Sequence, residues 1–580
     1  MKEIEILDLK TLSPEHNRLL NRIASNLRVP FNNFIEELSN GNEDNIDWWV
    51  SNIASRNTLS CSLYTNLSYL AFVDHLLNDG YRINRIAVYS RGLAKTFKRH
   101  FLKKNISTKV FNNEVLTERF KKIVKPYYSF IFSCIHFFMQ YIYARKTKMA
   151  MKNHLNNNLA YEIILLDTFV LKNSFRGNSY IDRYYSNIFD FLSESERQQI
   201  YYLPTFDKIK DYPTIFKKMR TAKQNFLVKE DFLRIMDYIY ALTYLIRMKR
   251  IKINFTDFFG IDVVDLLKSE IYQGLALYSS MEALLKYRLA KRLKEKGVRI
   301  RLVIDWFENQ AIDKGANAGF RRFYGDVPII GYQGFINSDF YLCAYPTTYE
   351  MNYKLLPNKI AVIGNALVDR VKEFCPTLDV AIAPAFRFQR AWKPKENFND
   401  SDILTILTAL PIMLSEGNII LKIIAAALMK NEVKNIKNIR VLVKYHPTST
   451  AGQIKRKIGN HRHPEFIFVE GDIGEYIDKA DILISGSSTS VCLEALAEGI
   501  PVIIIGSQSD ISHNPIPEDI KEDIWTLCYS SEEVAQAILF YANRDGEAIK
   551  RHKSIGQQIR QNYFEPVTRK SVKRFFGIHQ

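Results

Sequence analysis

The chain has 580 residues, 47% of them hydrophobic, enough for at least two domains with proper cores. Its formal net charge of +18 asks for an anionic partner; with no zinc-finger spacing and no RNP-type aromatic and glycine signature, an acidic glycan or an anionic membrane face is expected, not nucleic acid. Six cysteines, at 61, 134, 343, 375, 492 and 528, show no CxxC spacing and are too sparse for a disulfide scaffold, and Met1-Lys2-Glu3-Ile4-Glu5 is no signal peptide, so a reducing, cytoplasmic setting is expected.

The first 80 residues read as helical, with the run Asp47-Trp48-Trp49-Val50-Ser51 as core packing, Arg56-Asn57 after it, and an apolar helix from about 63 to 77. A strand at 85–90, a basic helix at 93–104 and a strand at 108–111 open an α/β layer. Residues 126–144 then run nineteen positions without Asp, Glu, Lys or Arg, between basic flanks. Ser129, Ser133, His136 and Gln140 recur every three or four residues and draw a polar stripe opposite the aromatics. Two readings stand: a helix lying on an anionic membrane, or a helix packed on its own domain. A membrane span comes third, because it would split a domain.

Strands resume at 162–170, where Asp167, and later Asp182, can face a cleft, and at 202–205. Residues 206–300 read as helical and basic, and with about 115–155 they form helical insertions in an N-terminal domain spanning 1–390. The strand at 300–304 ends in Asp305-Trp306-Phe307-Glu308-Asn309-Gln310, and the next in Gly331-Tyr332-Gln333-Gly334-Phe335. Carboxylates and amides bracket sugar hydroxyls while aromatic faces cover C–H surfaces, so this is the candidate acceptor site, with Glu308, or failing it Asp305, as general base. The plainer alternative has Asp305 capping a helix and Glu308 solvated. Arg387 is expected at the interdomain cleft, on a phosphate or in a structural ion pair. Residues 391–402 are the hinge; Asp400-Ser401-Asp402 inside it precedes its strand, so no metal site is inferred.

The C-terminal domain, 403–565, ahead of a basic tail at 566–580, carries the strongest pattern. An apolar run ends at Tyr445-His446-Pro447; a second, Asp481-Ile482-Leu483-Ile484, ends at Ser485-Gly486-Ser487-Ser488-Thr489-Ser490; a helix with Glu494 follows and stops at Gly499, before Pro501 and another apolar run. Strand, helix, strand, helix, strand means a doubly wound parallel sheet, whose chemistry lies at the carboxyl ends of its strands. The serine loop offers hydroxyls and free N–H groups to a phosphate, and His446 can bind or protonate it. Neither Gly-x-x-x-x-Gly-Lys-Ser/Thr nor Gly-x-Gly-x-x-Gly is present here, against a nucleoside triphosphatase or dinucleotide enzyme.

The ordered His-Pro loop, Ser-Ser loop and Glu494-Ala495-Leu496-Ala497-Glu498-Gly499-Ile500-Pro501-Val502 resemble the nucleotide-binding half of bacterial GT-B glycosyltransferases, most of all the CMP-sugar sialyl-, polysialyl- and capsular Kdo transferases. The tryptophan run and the Phe-Glu-Asn-Gln and Gly-Tyr-Gln-Gly loops resemble bacterial surface-carbohydrate (O-antigen and capsule) biosynthesis proteins. The resemblance implies two Rossmann-like domains facing a cleft. It implies a metal-independent, inverting transfer from a nucleotide sugar, with His446, Pro447, Ser487, Ser488, Thr489, Glu494 and Arg387 on the nucleotide and no further cofactor. The acceptor would be a surface polysaccharide or lipopolysaccharide, and the place the cytoplasm or the inner face of its membrane. A CDP-alditol glycerophosphotransferase, a GT-B-like sugar epimerase releasing UDP and a non-catalytic assembly scaffold are the competing readings.

Overall fold

A computed structural model describes residues 2–578, apart from 151–161, 208, 393–402, 437, 447–465, 488 and 522. Two doubly wound parallel sheets dominate it. The first holds β4 (Ile163–Val170), β5 (Ile200–Phe206), β6 (Asn225–Phe226), β7 (Ile300–Trp306), β8 (Ile329–Gln333), β9 (Lys359–Val362) and β10 (Val380–Ile382), in the order β10-β9-β8-β7-β4-β5-β6. The second holds β11 (Leu404–Ala409), β12 (Ile439–Lys444), β13 (Phe466–Val469), β14 (Ile482–Gly486), β15 (Val502–Ile505) and β16 (Trp525–Cys528), in the order β13-β12-β11-β14-β15-β16. Their central strands are unbroken apolar runs, Ile163-Ile164-Leu165-Leu166 and Ile482-Leu483-Ile484, because helices cover both faces. The winding reverses between β4 and β7 in one sheet and between β11 and β14 in the other, and each reversal leaves a crevice at the carboxyl ends. This is the two-domain α/β architecture of the GT-B type.

A third, smaller parallel sheet lies ahead of them: β1 (Lys2–Asp8), β2 (Tyr81–Val88) and β3 (Lys109–Asn112). The wholly helical reading of the first 80 residues is corrected at β1. Of its seven residues only Leu7 is buried, so three charges in the first five positions hide the strand pattern, and pairing with β2 (Ile4 with Ile83, Leu7 with Ile86) fixes the conformation. Trp48 and Trp49 are buried in this module's core, their indole N–H groups donating to Ser39 Oγ (2.9 Å) and the Glu43 carbonyl (2.7 Å).

Helix α1 (Leu116–Ala150) lies along α2 (Val264–Gly274) and α3 (Tyr278–Glu295); α4 (Ala311–Phe323) follows β7 and packs on α3. Asp167 and Asp182 were candidates to face a cleft, and both are buried instead. Asp167 pairs with Lys286 of α3 at 2.5 Å, and Asp182 accepts from Thr168, Tyr180 and two backbone N–H groups. In the second domain α5 (Leu414–Leu428) follows β11, α6 (Val491–Ala497) follows the serine loop, and α7 (Gly546–Tyr563) packs on α6. The chain then returns to the first domain. Glu565 N–H donates to the Ile363 carbonyl (2.6 Å), and a Cβ on Gly364 would lie 2.3 Å from the Tyr563 backbone, so only glycine admits this crossing. The basic segment at the end of the chain forms α8 (Arg569–Phe575), which turns Phe575 against Tyr332 and Phe386 and pairs Lys573 with Glu196 at 2.9 Å.

Candidate functional site

The crevice of the second sheet is built from the ends of β11, β12 and β14. Ser487 is buried just past β14 and donates to Glu416, in the first turn of α5, at 3.3 Å. Burial raises the Glu416 carboxyl above its ordinary range, opposed by the Ser487 hydroxyl. Gly486 leaves room for this approach: a Cβ there would sit 2.5 Å from Ile420 Cδ1 and 3.1 Å from Glu416 Oε1, so both side-chain ends would have to move. His446 emerges half-buried past β12, two strands from β14 with β11 between them, beyond Lys444, whose buried ammonium donates to the Tyr445 carbonyl at 3.1 Å and whose pKa is lowered by burial. Pro447 and Ser488 lie outside the described residues, as do 393–402 of the hinge with Asp400-Ser401-Asp402. Thr489 is half-buried at the mouth of α6. That helix has only seven residues, too short for a strong dipole.

Glu494, also on α6, is half-buried, and its carboxyl is pushed up to about 7 by burial, against the pull of Arg387. Arg387 is exposed, its guanidinium 6.0 Å from the ring centroids of Trp306 and Phe388. Both rings belong to the first domain, as Arg387 does, and it reaches the second domain through its electrostatic pull on Glu494.

Glu308 stands two residues beyond, half-buried, receiving the Trp306 indole N–H (2.9 Å), the Tyr341 hydroxyl (3.2 Å) and the Gln310 amide. Three neutral donors fix the carboxylate, and the Tyr184 ring packs tilted at 51° against Trp306, centroids 4.2 Å apart, beside it. The turn itself is strained and buttressed. Asn309 takes a left-handed φ of 56°, and Asp313 accepts the N–H groups of Glu308 (3.1 Å) and Gln310 (2.9 Å). Asn309 Nδ2 donates to Glu350 (3.1 Å), which is buried between Arg56 (2.6 Å) and Lys314 (2.7 Å). These two cations hold the Glu350 carboxyl down at about 2 although burial alone would raise it. Asp305, offered as the alternative base, points away from the cleft: it is 2% exposed, accepts from Asn317 of α4 at 2.8 Å, and is driven up to about 7 by burial and by Asp167. A cavity of about 350 Å³ opens beside the loop, lined by Gln310, Asn52, Asn57, Ser60, Ser280 and Lys125.

The structure thus brings Glu308, Trp306, Arg387 and Glu494 together and keeps Ser487 and His446 on the loops of their own sheet. Sequence reasoning missed Glu416, Lys444 and Glu350. Lys444 had a signal, a charge closing an apolar strand just before the His-Pro turn, and Arg56 had been singled out without a partner. Glu416 and Glu350 gave none. Among the described residues no cluster of His, Cys, Asp and Glu could hold a metal ion, and no helix is long and apolar enough to cross a membrane.

The fold is a GT-B-type, two-domain α/β architecture with a crevice at the switch point of each sheet. No protein-family model matches the chain, and none of the curated proteins does. Among solved structures the chain is similar to S. aureus MnaA with UDP (12% identity, TM-score 0.43, 72% of this chain and 98% of that one). It is also similar to Anabaena HepE in complex with UDP-glucose (10%, 0.39, 72% and 98%) and to the UDP-GlcNAc 2-epimerase of Neisseria meningitidis bound to UDP-GlcNAc (12%, 0.38, 72% and 99%).

Proposed function

We propose that the protein is an inverting glycosyltransferase that moves a sugar from a nucleotide-activated donor, CMP-linked, to a growing surface polysaccharide or lipopolysaccharide at the cytoplasmic face of an anionic membrane. The observation that carries this reading is Glu308: a half-exposed carboxylate locked by three donors at the switch point of one sheet, joined through Trp306 and Arg387 to the phosphate-type crevice of the other.

In this mechanism Glu308 takes the proton of the acceptor hydroxyl, whose oxygen attacks the anomeric carbon while the bond from that carbon to the donor phosphate oxygen breaks. Ser487, Thr489 and the Lys444 ammonium face the charge that develops on the phosphate, and a protonated His446 can deliver a proton to it. Arg387 neutralises charge from the opposite wall, and Glu494 is placed to bind a hydroxyl of the nucleotide. The choice of CMP rests on the order of the His446 and Ser487 loops. A thermal-shift panel of CMP, CDP, UDP and GDP on wild type and His446→Ala tests it, because a ligand of the native state raises the melting temperature. Stabilisation by CMP that the variant loses is expected; preference for UDP refutes the donor assignment, and no shift with any nucleotide favours a scaffold.

A further inference from the structure

Helix α1 is mounted with its polar stripe inward. Ser133, Phe137, Gln140 and Ala144 are buried; His136 and Gln140 meet the Tyr212 hydroxyl at 2.6 and 3.3 Å, and Gln140 donates to Tyr278 at 3.0 Å. The aromatic side faces out: Tyr128, Ile131 and Phe138 are 66%, 57% and 63% exposed, with Tyr127, Phe132 and Ile135 beside them. A helix whose polar stripe hydrogen-bonds inside and whose apolar stripe is left outside has its faces reversed relative to one made only for water.

The charges say what covers that stripe. Helix α1 carries seven basic residues at its ends against the single acid Glu118; Lys121, Lys122 and Lys148 pair with Glu118, Glu114 and Asp231, while no acid pairs with Arg119, Lys125, Arg145 or Lys146 among the ion pairs of the described residues. A second copy of the chain would set like charges against each other whether the two helices ran parallel or antiparallel. An anionic bilayer meets both features at once: headgroup phosphates take the ends, and the acyl boundary takes the uncharged middle, about 28 Å long at helical rise.

We infer that the outward face of α1 seats the protein on an anionic phospholipid surface. Lys125 also lines the cavity shared with Gln310, so a membrane-held acceptor would meet the site at the same end of the helix. The inference supplies contact residues for the membrane part of the proposed function, and its test uses no nucleotide, so the two readings fail separately. Full-length protein is floated with phosphatidylcholine vesicles, with or without phosphatidylglycerol, alongside Tyr128→Ser/Ile131→Ser/Phe138→Ser and Arg145→Glu/Lys146→Glu. All five side chains are exposed, and unchanged melting temperatures confirm folding. Wild type should float with the anionic vesicles only, weaken in high salt, and lose binding roughly tenfold or more in each variant. Wild type left in the soluble fraction, or a serine variant that binds as well as wild type, overturns the inference; a wild-type dimer that the serine variant dissociates, without vesicle binding, assigns the face to a second copy instead.

Discussion

Replacing Glu350 with Gln tests whether the Glu308–Gln310 loop is held by a buried charge cluster. The side chain stays nearly the same size, but Arg56 and Lys314 lose their shared anion, and both are fully buried. Breaking a buried pair by removing one partner costs about 3–5 kcal/mol. The pH dependence gives a second figure. Glu350 ionises at about 2 in the folded chain against its ordinary 4.5, so its stabilisation is full above the unfolded value and disappears as pH falls through the folded one. A shift of that size corresponds to about 3 kcal/mol, in line with the first figure. Urea unfolding followed by tryptophan fluorescence should show a lower midpoint for Glu350→Gln at pH 7, and the gap to wild type should narrow as pH falls from 4.5 toward 2. Equal midpoints at pH 7, or a gap that ignores pH, would refute the reasoning. Lys314→Met, which leaves the Arg56–Glu350 pair intact, should cost less.

Glu308→Gln should lower turnover by roughly two to four orders of magnitude while nucleotide thermal shifts persist, and loss of nucleotide binding would count against its role on the acceptor side. Lys444→Met should weaken nucleotide binding yet raise intrinsic stability, since a buried ammonium is removed; both are read from melting curves with and without CMP. Glu494 ionises at about 7 in the folded chain, so it favours the folded state below pH 4.5 and loses that advantage as pH rises through 7. Glu494→Gln should therefore match wild type near pH 4 and melt higher at pH 8; a lower melting temperature at pH 8 would contradict it.

The long runs were legible because a parallel strand buried on both faces leaves no polar positions: Ile163–Leu166, Val441–Val443, Ile482–Ile484 and Val502–Ile505 could hardly be anything else. The loops after them were legible in position for the same reason, since each begins where an apolar run stops. β1 was not, because an edge strand with one buried side chain has no pattern of its own.

By itself, then, the sequence determined the central strands of both sheets and the loops that carry Glu308, His446 and Ser487, and the order of the strands came from the structure. Tertiary structure decided what each charge does. Asp305 and Glu308 are three residues apart on one strand end, and only the packing of α4 sends the first into the core and leaves the second in the cleft. Likewise the periodicity of α1 gave two faces without saying which turned inward; the Tyr212 and Tyr278 hydroxyls, far along the chain, settled it by hydrogen-bonding to the polar one. Burial and ion pairing depend on residues distant in sequence, and local patterns contain no information about them.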